Sequence, residues 1–307
     1  MLEETAKKIT DLDKLLTVVI PTLNEEEGLG KVLEELHAFG VKNVLVVDGY
    51  STDKTVEIAK QHGARVVYQH GKGKTGAIKV AIDQVNTPYM LIMDGDFTYD
   101  ASSIPRFVQH IGAYDEVIGA RVSNGKSMTR LHKFGNEMIT RAFNVLMNTM
   151  LSDVCSGMYL LKTDAAREVH LETTGFDVEA EIAAQIASAG SITEIPVNYR
   201  TRLGRQKLST WKHGFRIISS IFQLARSYNP GVFYSMLGSL MVVPAGLMLF
   251  SSGMQYMYTG KITSNYFFIG VAVLLVAIQA MSVGVISLIL RRTELRTARM
   301  LRKILNS

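Results

Sequence analysis

Leu16-Thr17-Val18-Val19-Ile20-Pro21-Thr22-Leu23-Asn24-Glu25 and, one helical interval later, Val44-Leu45-Val46-Val47-Asp48-Gly49-Tyr50-Ser51 decide how this chain is read. Each begins as a short apolar run without a charge and stops at a polar cluster. Runs of that kind are strands buried on both faces. Helical spacing over Gly28–Phe39 separates them. The alternation continues through a helix at Thr52–His62, a strand at Arg65–Tyr68, a helix at Thr75–Val85 and a strand at Tyr89–Met93. Strand–helix–strand repeats specify right-handed crossovers and a mostly parallel sheet covered on both faces, hence an α/β fold. Such sheets bind ligands beyond the carboxyl ends of their strands. Three polar clusters stand there and would share one crevice: Pro21 to Glu25, Asp48 to Ser51, and Asp94-Gly95-Asp96.

The composition asks for more than a soluble domain. Of 307 residues, 47% are hydrophobic and 20% charged, and the mean hydropathy is +0.14. Disordered chains are poor in apolar residues, so that class is excluded. One cysteine, Cys155, excludes an intrachain disulfide and a thiolate metal cluster. A net charge of +5 suits a phosphate-bearing ligand or an anionic membrane face, and no nucleic-acid partner is expected.

The apolar surplus is concentrated late in the chain. Residues 232–250 and 266–290 carry no charge, and each is near the ~20 residues that a helix needs to cross a bilayer. Lys261 alone is charged between them, whereas Arg291, Arg292, Arg296, Arg299, Arg302 and Lys303 follow, opposed by Glu294. Positive flanks stay in the cytoplasm. The expectation is a two-span hairpin in the cell membrane, with the N-terminal domain and the tail both cytoplasmic. Met1 to Leu16 lack an apolar h-region, so no signal peptide is expected. Phe215, Ile218, Ile221, Phe222 and Ala225 share helical spacing with Lys212, His213, Arg216 and Arg226, which reads either as a basic amphipathic helix at the membrane surface or as the closing helix of the soluble domain. The expected division is 1–210 catalytic, 211–229 juxtamembrane, 230–292 membrane hairpin and 293–307 basic tail.

Two motifs carry chemistry on their own residues. Carboxylates one residue apart, Asp94 and Asp96, suit a hard divalent cation, Mg2+ or Mn2+, whose shell diphosphate oxygens would complete. Gly95 admits close backbone approach. The same three residues also suit a plain turn. Gly71-Lys72-Gly73-Lys74-Thr75-Gly76 imitates a nucleotide-binding P-loop but has Tyr68 where that motif needs its first glycine. What remains is a doubly basic glycine loop able to face phosphates.

Taken in order, these clusters resemble glycosyltransferase family 2, in its dolichyl-phosphate mannose synthase-like branch. The resemblance rests on Val19 to Glu26, Val46 to Asp53, Gly71 to Gly76, Asp94-Gly95-Asp96, Asp153-Val154-Cys155-Ser156-Gly157, Glu181 and Arg202 to Lys207. It covers roughly residues 15–215 and implies a GT-A fold with a nucleotide-diphospho-sugar donor and a polyprenyl (dolichyl) phosphate acceptor. Thr98, Gln206 and Gly49-Tyr50 depart from the commoner family residues. GDP-mannose, UDP-glucose and UDP-N-acetylglucosamine therefore all stand as donors.

The roles this implies are as follows. Asp94, Asp96, Asp153 and Arg202 are catalytic candidates. Pro21, Leu23, Glu25, Asp48, Lys74, Asp94, Gly95, Asp96, Arg202 and Lys207 are candidates for binding the nucleotide sugar. Asp94 and Asp96, with Thr98 as a third candidate, would hold the metal. Arg121, Arg130, His132 and Asn136 are candidates for the acceptor phosphate, each equally readable as part of a solvated basic face. The expected reaction is inverting transfer of one sugar to the lipid phosphate. A processive polysaccharide synthase shares this core but carries a Gln-x-x-Arg-Trp segment; here the only tryptophan, Trp211, follows Leu208-Ser209-Thr210. An idle sugar-nucleotide scaffold would show a damaged Asp-x-Asp.

Overall fold

Val18, Val19 and Ile20 have no solvent exposure because β1 (Leu16–Thr22) lies inside a seven-stranded sheet with a neighbour on each side. The computed structural model describes residues 12–123, 130–171, 178–204, 222, 225, 226, 229–260 and 264–305. From β1 the chain steps outward through α1 (Glu26–Ala38), β2 (Val44–Asp48), α2 (Thr55–Gln61) and β3 (Arg65–Tyr68). Helix α3 (Gly73–Gln84) then returns it to β4 (Tyr89–Ile92), on the other side of β1. The pairs β1–β2, β2–β3 and β1–β4 are all parallel. Strand order therefore reverses between β1 and β4, and the connections leaving their carboxyl ends diverge to open a crevice.

Alternate residues of β1 feed opposite faces, as the two-residue strand period requires. Val18 and Ile20 pack with Leu29, Val32 and Leu33 of α1. Val19 packs with Leu45, Val47, Ile78 and Ala81 beneath α3. The helix expected from Thr52 begins three residues later. Asp53 accepts hydrogen bonds from the Thr55 amide at 3.0 Å and the Glu26 amide at 3.2 Å, so residues 51–54 form a turn tied to α1.

After α4 (Ile104–Gln109) come β5 (Glu116–Ser123), α5 (Arg130–Met147), β6 (Tyr159–Lys162), α6 (Thr163–Arg167), α7 (Val178–Ala189) and β7 (Ile192–Tyr199). The sheet order is β3-β2-β1-β4-β6-β5-β7. β5 and β7 pair in parallel, while β6 runs antiparallel to both β4 and β5. This reversal puts the turn that precedes β6 beside the carboxyl end of β4, where Ile92 pairs with Tyr159.

The chain divides into two compact units, Met1–Ile221 and Phe222–Ser307. The second contains α8 (Pro230–Thr259) and α9 (Ser264–Leu305). Two stretches, Pro230–Thr259 and Asn265–Leu290, are long and apolar enough to cross a membrane. They pack through small residues: a Cβ on Gly238 would sit 2.5 Å from Met281 Cγ, and one on Gly231 at the same distance from Leu288 Cγ. Close approach at glycine is how helices associate where no hydrophobic drive separates them from lipid. Asn229 caps α8 by accepting from the Val232 amide, and Gly260 ends it with φ 66°. Helix α9 continues past its apolar stretch, so the expected tail is helical as far as Leu305. Most of the expected juxtamembrane helix lies outside the described residues; Phe222, Ala225 and Arg226 are helical.

Candidate active site

Asp94 and Asp96 follow β4 directly, and glycines on three sides make room for them. A Cβ on Gly28 would meet the Gly95 carbonyl at 2.8 Å, and one on Gly95 would press on Ile20 and Thr22 at 3.1 and 3.2 Å. The third is Gly157, in the turn before β6, where a Cβ would overlap Asp94 Oδ2 and lie 2.7 Å from Asp94 Cγ. Asp94 is thus seated against a backbone that carries no side chain. Tyr99 fastens the two turns together, its buried hydroxyl accepting from the Gly157 amide at 2.6 Å and lying 3.3 Å from Ser156 Oγ. Ser156 donates in turn to the Gly119 carbonyl at 2.5 Å.

Each aspartate faces a cation. Lys74 Nζ, in the first turn of α3, lies 2.6 Å from Asp94 Oδ1 and 2.6 Å from Glu179 Oε1 at the start of α7. Burial disfavours the Lys74 charge, but Asp94 and Glu179 outweigh it and hold the ammonium well above its ordinary pKa. Arg202 Nη1 lies 2.7 Å from Asp96 Oδ2, and its Nη2 donates to both Glu25 oxygens, at 2.6 and 2.8 Å. The Leu203 amide also donates to the Asp96 carbonyl at 3.1 Å, so the segment bearing Arg202 is docked on the turn it neutralises. Arg200 anchors the same segment through Glu35 at 2.7 Å, Asp100 at 3.1 Å and the Phe97 ring.

Burial and the adjacent Asp94 charge push the Asp96 carboxyl up, against the pull of Thr98 and Arg202. A cation would relieve both causes. Among the described residues no group of three or more His, Cys, Asp or Glu side chains forms a ready metal cage. Two carboxylates nevertheless fit Mg2+, which usually takes one or two carboxylates plus substrate phosphates. The donor set is oxygen, as Mg2+ and Mn2+ prefer.

The remaining candidates fall in several places. Thr98 is buried, its hydroxyl donating to Asp96 Oδ1 at 2.5 Å. Asp48 is fully buried and accepts from the Ser51 amide, the Ser51 hydroxyl and Thr22 Oγ1, so its carboxylate shapes the turn after β2. Pro21 is half-buried near the end of β1, and Leu23 is exposed just beyond it. Glu181 is buried in α7. Arg121 forms a forked pair with Asp153, Nε to Oδ2 at 2.6 Å and Nη2 to Oδ1 at 2.7 Å, with its guanidinium 5.4 Å from the Tyr199 ring centroid. Asn136 is half-buried on α5. Lys207 and the side chains of Arg130 and His132 lie outside the described residues.

Several participants escaped the sequence reading: Glu179, Tyr99, Arg200, and the exposed pair Tyr50 and Tyr68, whose rings stack at 5.3 Å beyond β2 and β3. Glu179 stands two residues before Glu181 and Tyr99 three after Asp96. Position alone therefore offered a signal for these two.

A doubly wound sheet whose crevice closes on an Asp-Gly-Asp turn belongs to the GT-A class of glycosyltransferase. Residues 17–169 match the pattern of glycosyl transferase family 2. The chain is 34% identical over 228 residues to glycosyltransferase AglJ of Haloferax volcanii, covering 72% of this chain and 75% of that one. It is 34% identical over 215 residues to a dolichyl-phosphate hexose transferase of the same organism, covering 68% and 93% respectively. A solved structure of Mycobacterium tuberculosis glucosyl-3-phosphoglycerate synthase, in complex with Mn2+, uridine-diphosphate-glucose and phosphoglyceric acid, shares the fold. Its TM-score is 0.58 at 18% identity, over 73% of this chain and 83% of the other. The chain belongs to glycosyltransferase family 2, and its relatives support the polyprenyl-phosphate branch.

Proposed function

We propose that this enzyme transfers one hexose, with inversion, from a nucleoside-diphospho-sugar to a dolichyl-type polyprenyl phosphate at a membrane. The observation that carries this is the meeting of the Asp94–Asp96 turn with Lys74, Arg202 and the Gly157 turn, in a chain that also has two helices long and apolar enough to span a bilayer. A relative named dolichyl-phosphate hexose transferase and a fold neighbour bound to Mn2+ and UDP-glucose support the reading.

The chemistry follows from the substrates. A phosphate monoester already carries between one and two charges at neutral pH, so its oxygen attacks the anomeric carbon without a strong base. The bond from that carbon to the diphosphate breaks on the opposite face, and the nucleoside diphosphate leaves as an anion. No proton has to move. The protein's task is to align two anions and stabilise the leaving one. Asp94 and Asp96 would hold a divalent cation, which supplies charge neutralisation at the leaving diphosphate. Arg202 and Lys74 add fixed positive charge on either side. Arg121, ordered by Asp153, contributes to the acceptor end. The basic flank after residue 290 supports an orientation with the catalytic unit and the tail in the cytoplasm.

The test is incubation of membranes containing the full chain with labelled GDP-mannose, UDP-glucose and UDP-N-acetylglucosamine, plus dolichyl phosphate. One of the three should give a labelled lipid, lost in EDTA and restored by Mg2+ or Mn2+. Transfer to water or to a sugar acceptor alone would overturn the reading.

A further inference from the structure

Both aspartates of the Asp94-Gly95-Asp96 turn share their cation with a second acid. Arg202 is divided between Asp96 and Glu25, and Lys74 between Asp94 and Glu179. Formally, among the described residues, these four carboxylates and two cations leave two negative charges in excess, the charge of one divalent cation. Without Glu179, the Lys74 ammonium would belong wholly to Asp94, and the pair would be neutral before any metal arrived.

Glu179 comes from a separate part of the fold. It opens α7, whose Val178 and Ile182 pack into the same layer as Ile78 of α3, and its side chain is only 11% exposed. The layer closes over Tyr159 of β6, whose buried hydroxyl has no partner among the described residues. Lys74 keeps 25% of its side chain exposed and is held between the two carboxylates at 2.6 Å from each, with Glu179 fixed on the packed side.

We propose that Glu179 is a positioning residue for the metal: by sharing Lys74 it keeps Asp94 free in charge and fixed in place to bind a divalent cation. This rests on the reading of Asp94 and Asp96 as metal ligands and adds a residue that sets their affinity. Partners behind first ligands commonly tune metal affinity by about 10- to 100-fold. A merely structural Glu179, satisfying a buried lysine, would instead affect folding stability and leave affinity alone.

The test uses Mn2+ alone, titrated into the full chain in detergent and followed by electron paramagnetic resonance, with thermal unfolding in EDTA measured in parallel. Glu179→Gln keeps a carbonyl for Lys74 and removes one charge; its Mn2+ affinity should fall by about 10- to 100-fold. Glu179→Asp should recover part of the loss. Lys74→Gln removes the competing cation and should bind Mn2+ more tightly than the wild type. A folded Glu179→Gln protein with wild-type Mn2+ affinity overturns the proposal. If that variant does not fold, weaker binding by Lys74→Gln does so. Absence of Mn2+ binding by the wild type would instead defeat the metal reading itself, whatever Glu179 does.

Discussion

Replacing Gly157 by alanine adds one methyl group and should disable the site. The new Cβ would overlap Asp94 Oδ2 and stand 2.7 Å from Asp94 Cγ, so the carboxylate has to move. It is poorly placed to do so, because its other oxygen is held 2.6 Å from Lys74 Nζ. On the alanine side, the Gly157 amide is tied to Tyr99 Oη at 2.6 Å, so the backbone yields little either. Overpacking of this kind costs about 1–3 kcal/mol of stability. A displacement of about 1 Å at a catalytic group lowers rate by about 100-fold, or about 2.7 kcal/mol in the barrier. Sugar transfer to dolichyl phosphate should therefore fall by about two orders of magnitude in kcat/KM, with Mn2+ binding weakened in parallel. Gly30→Ala is the control: in α1 its Cβ meets Ile58 Cγ2 at an ordinary 3.5 Å, and activity should be unchanged. A Gly157→Ala enzyme with wild-type kcat/KM and Mn2+ affinity would refute the argument that Gly157 exists to seat Asp94.

Two further outcomes follow. Glu116 is buried with Oε2 lacking a partner among the described residues, and burial pushes its carboxyl well above the ordinary 4.5. Native protein then holds a proton that unfolded chain releases, so this residue's contribution to stability is full below about pH 4.5 and declines as pH rises toward the folded pKa. Glu116→Gln should flatten that decline and raise stability at pH 7 by about 1–3 kcal/mol, read as thermal midpoint against pH; an unchanged profile would contradict it. In a Cys155→Ser background, an impermeant maleimide applied to intact cells should label Thr263→Cys and spare Ser307→Cys; labelling at 307 would require an odd number of crossings.

Legibility tracked the physics of each element. Strands β1, β2 and β4 were readable because burial on both faces leaves a bare apolar run. β7, Ile192-Thr193-Glu194-Ile195-Pro196-Val197-Asn198-Tyr199, was not, since an edge strand tolerates proline and exposes alternate residues. β6 ends on exposed Lys162, and β5 opens on buried Glu116. In the site, Asp94, Asp96, Lys74, Glu25 and Arg202 were legible through the order of their motifs. Nothing in one sequence says that Lys74 is shared with Glu179, or that Arg121 is claimed by Asp153. Those pairings are products of tertiary packing. Asp48 likewise looks like a ligand-facing acid in sequence, and only its three hydrogen bonds show it holding its own turn.

The ion pair between Glu25 and Arg202 joins residues 177 positions apart, which has a bearing on how the protein is made. Domains fold from the N-terminus as the chain emerges from the ribosome. A nascent chain that has displayed every strand of the sheet still has an open crevice until Arg202 is translated. The first apolar helix begins at Pro230, a short stretch later. Completion of the crevice and arrival of the first helix able to cross a membrane are thus nearly simultaneous events in synthesis. A finished catalytic unit is therefore never long without the two helices able to cross a membrane.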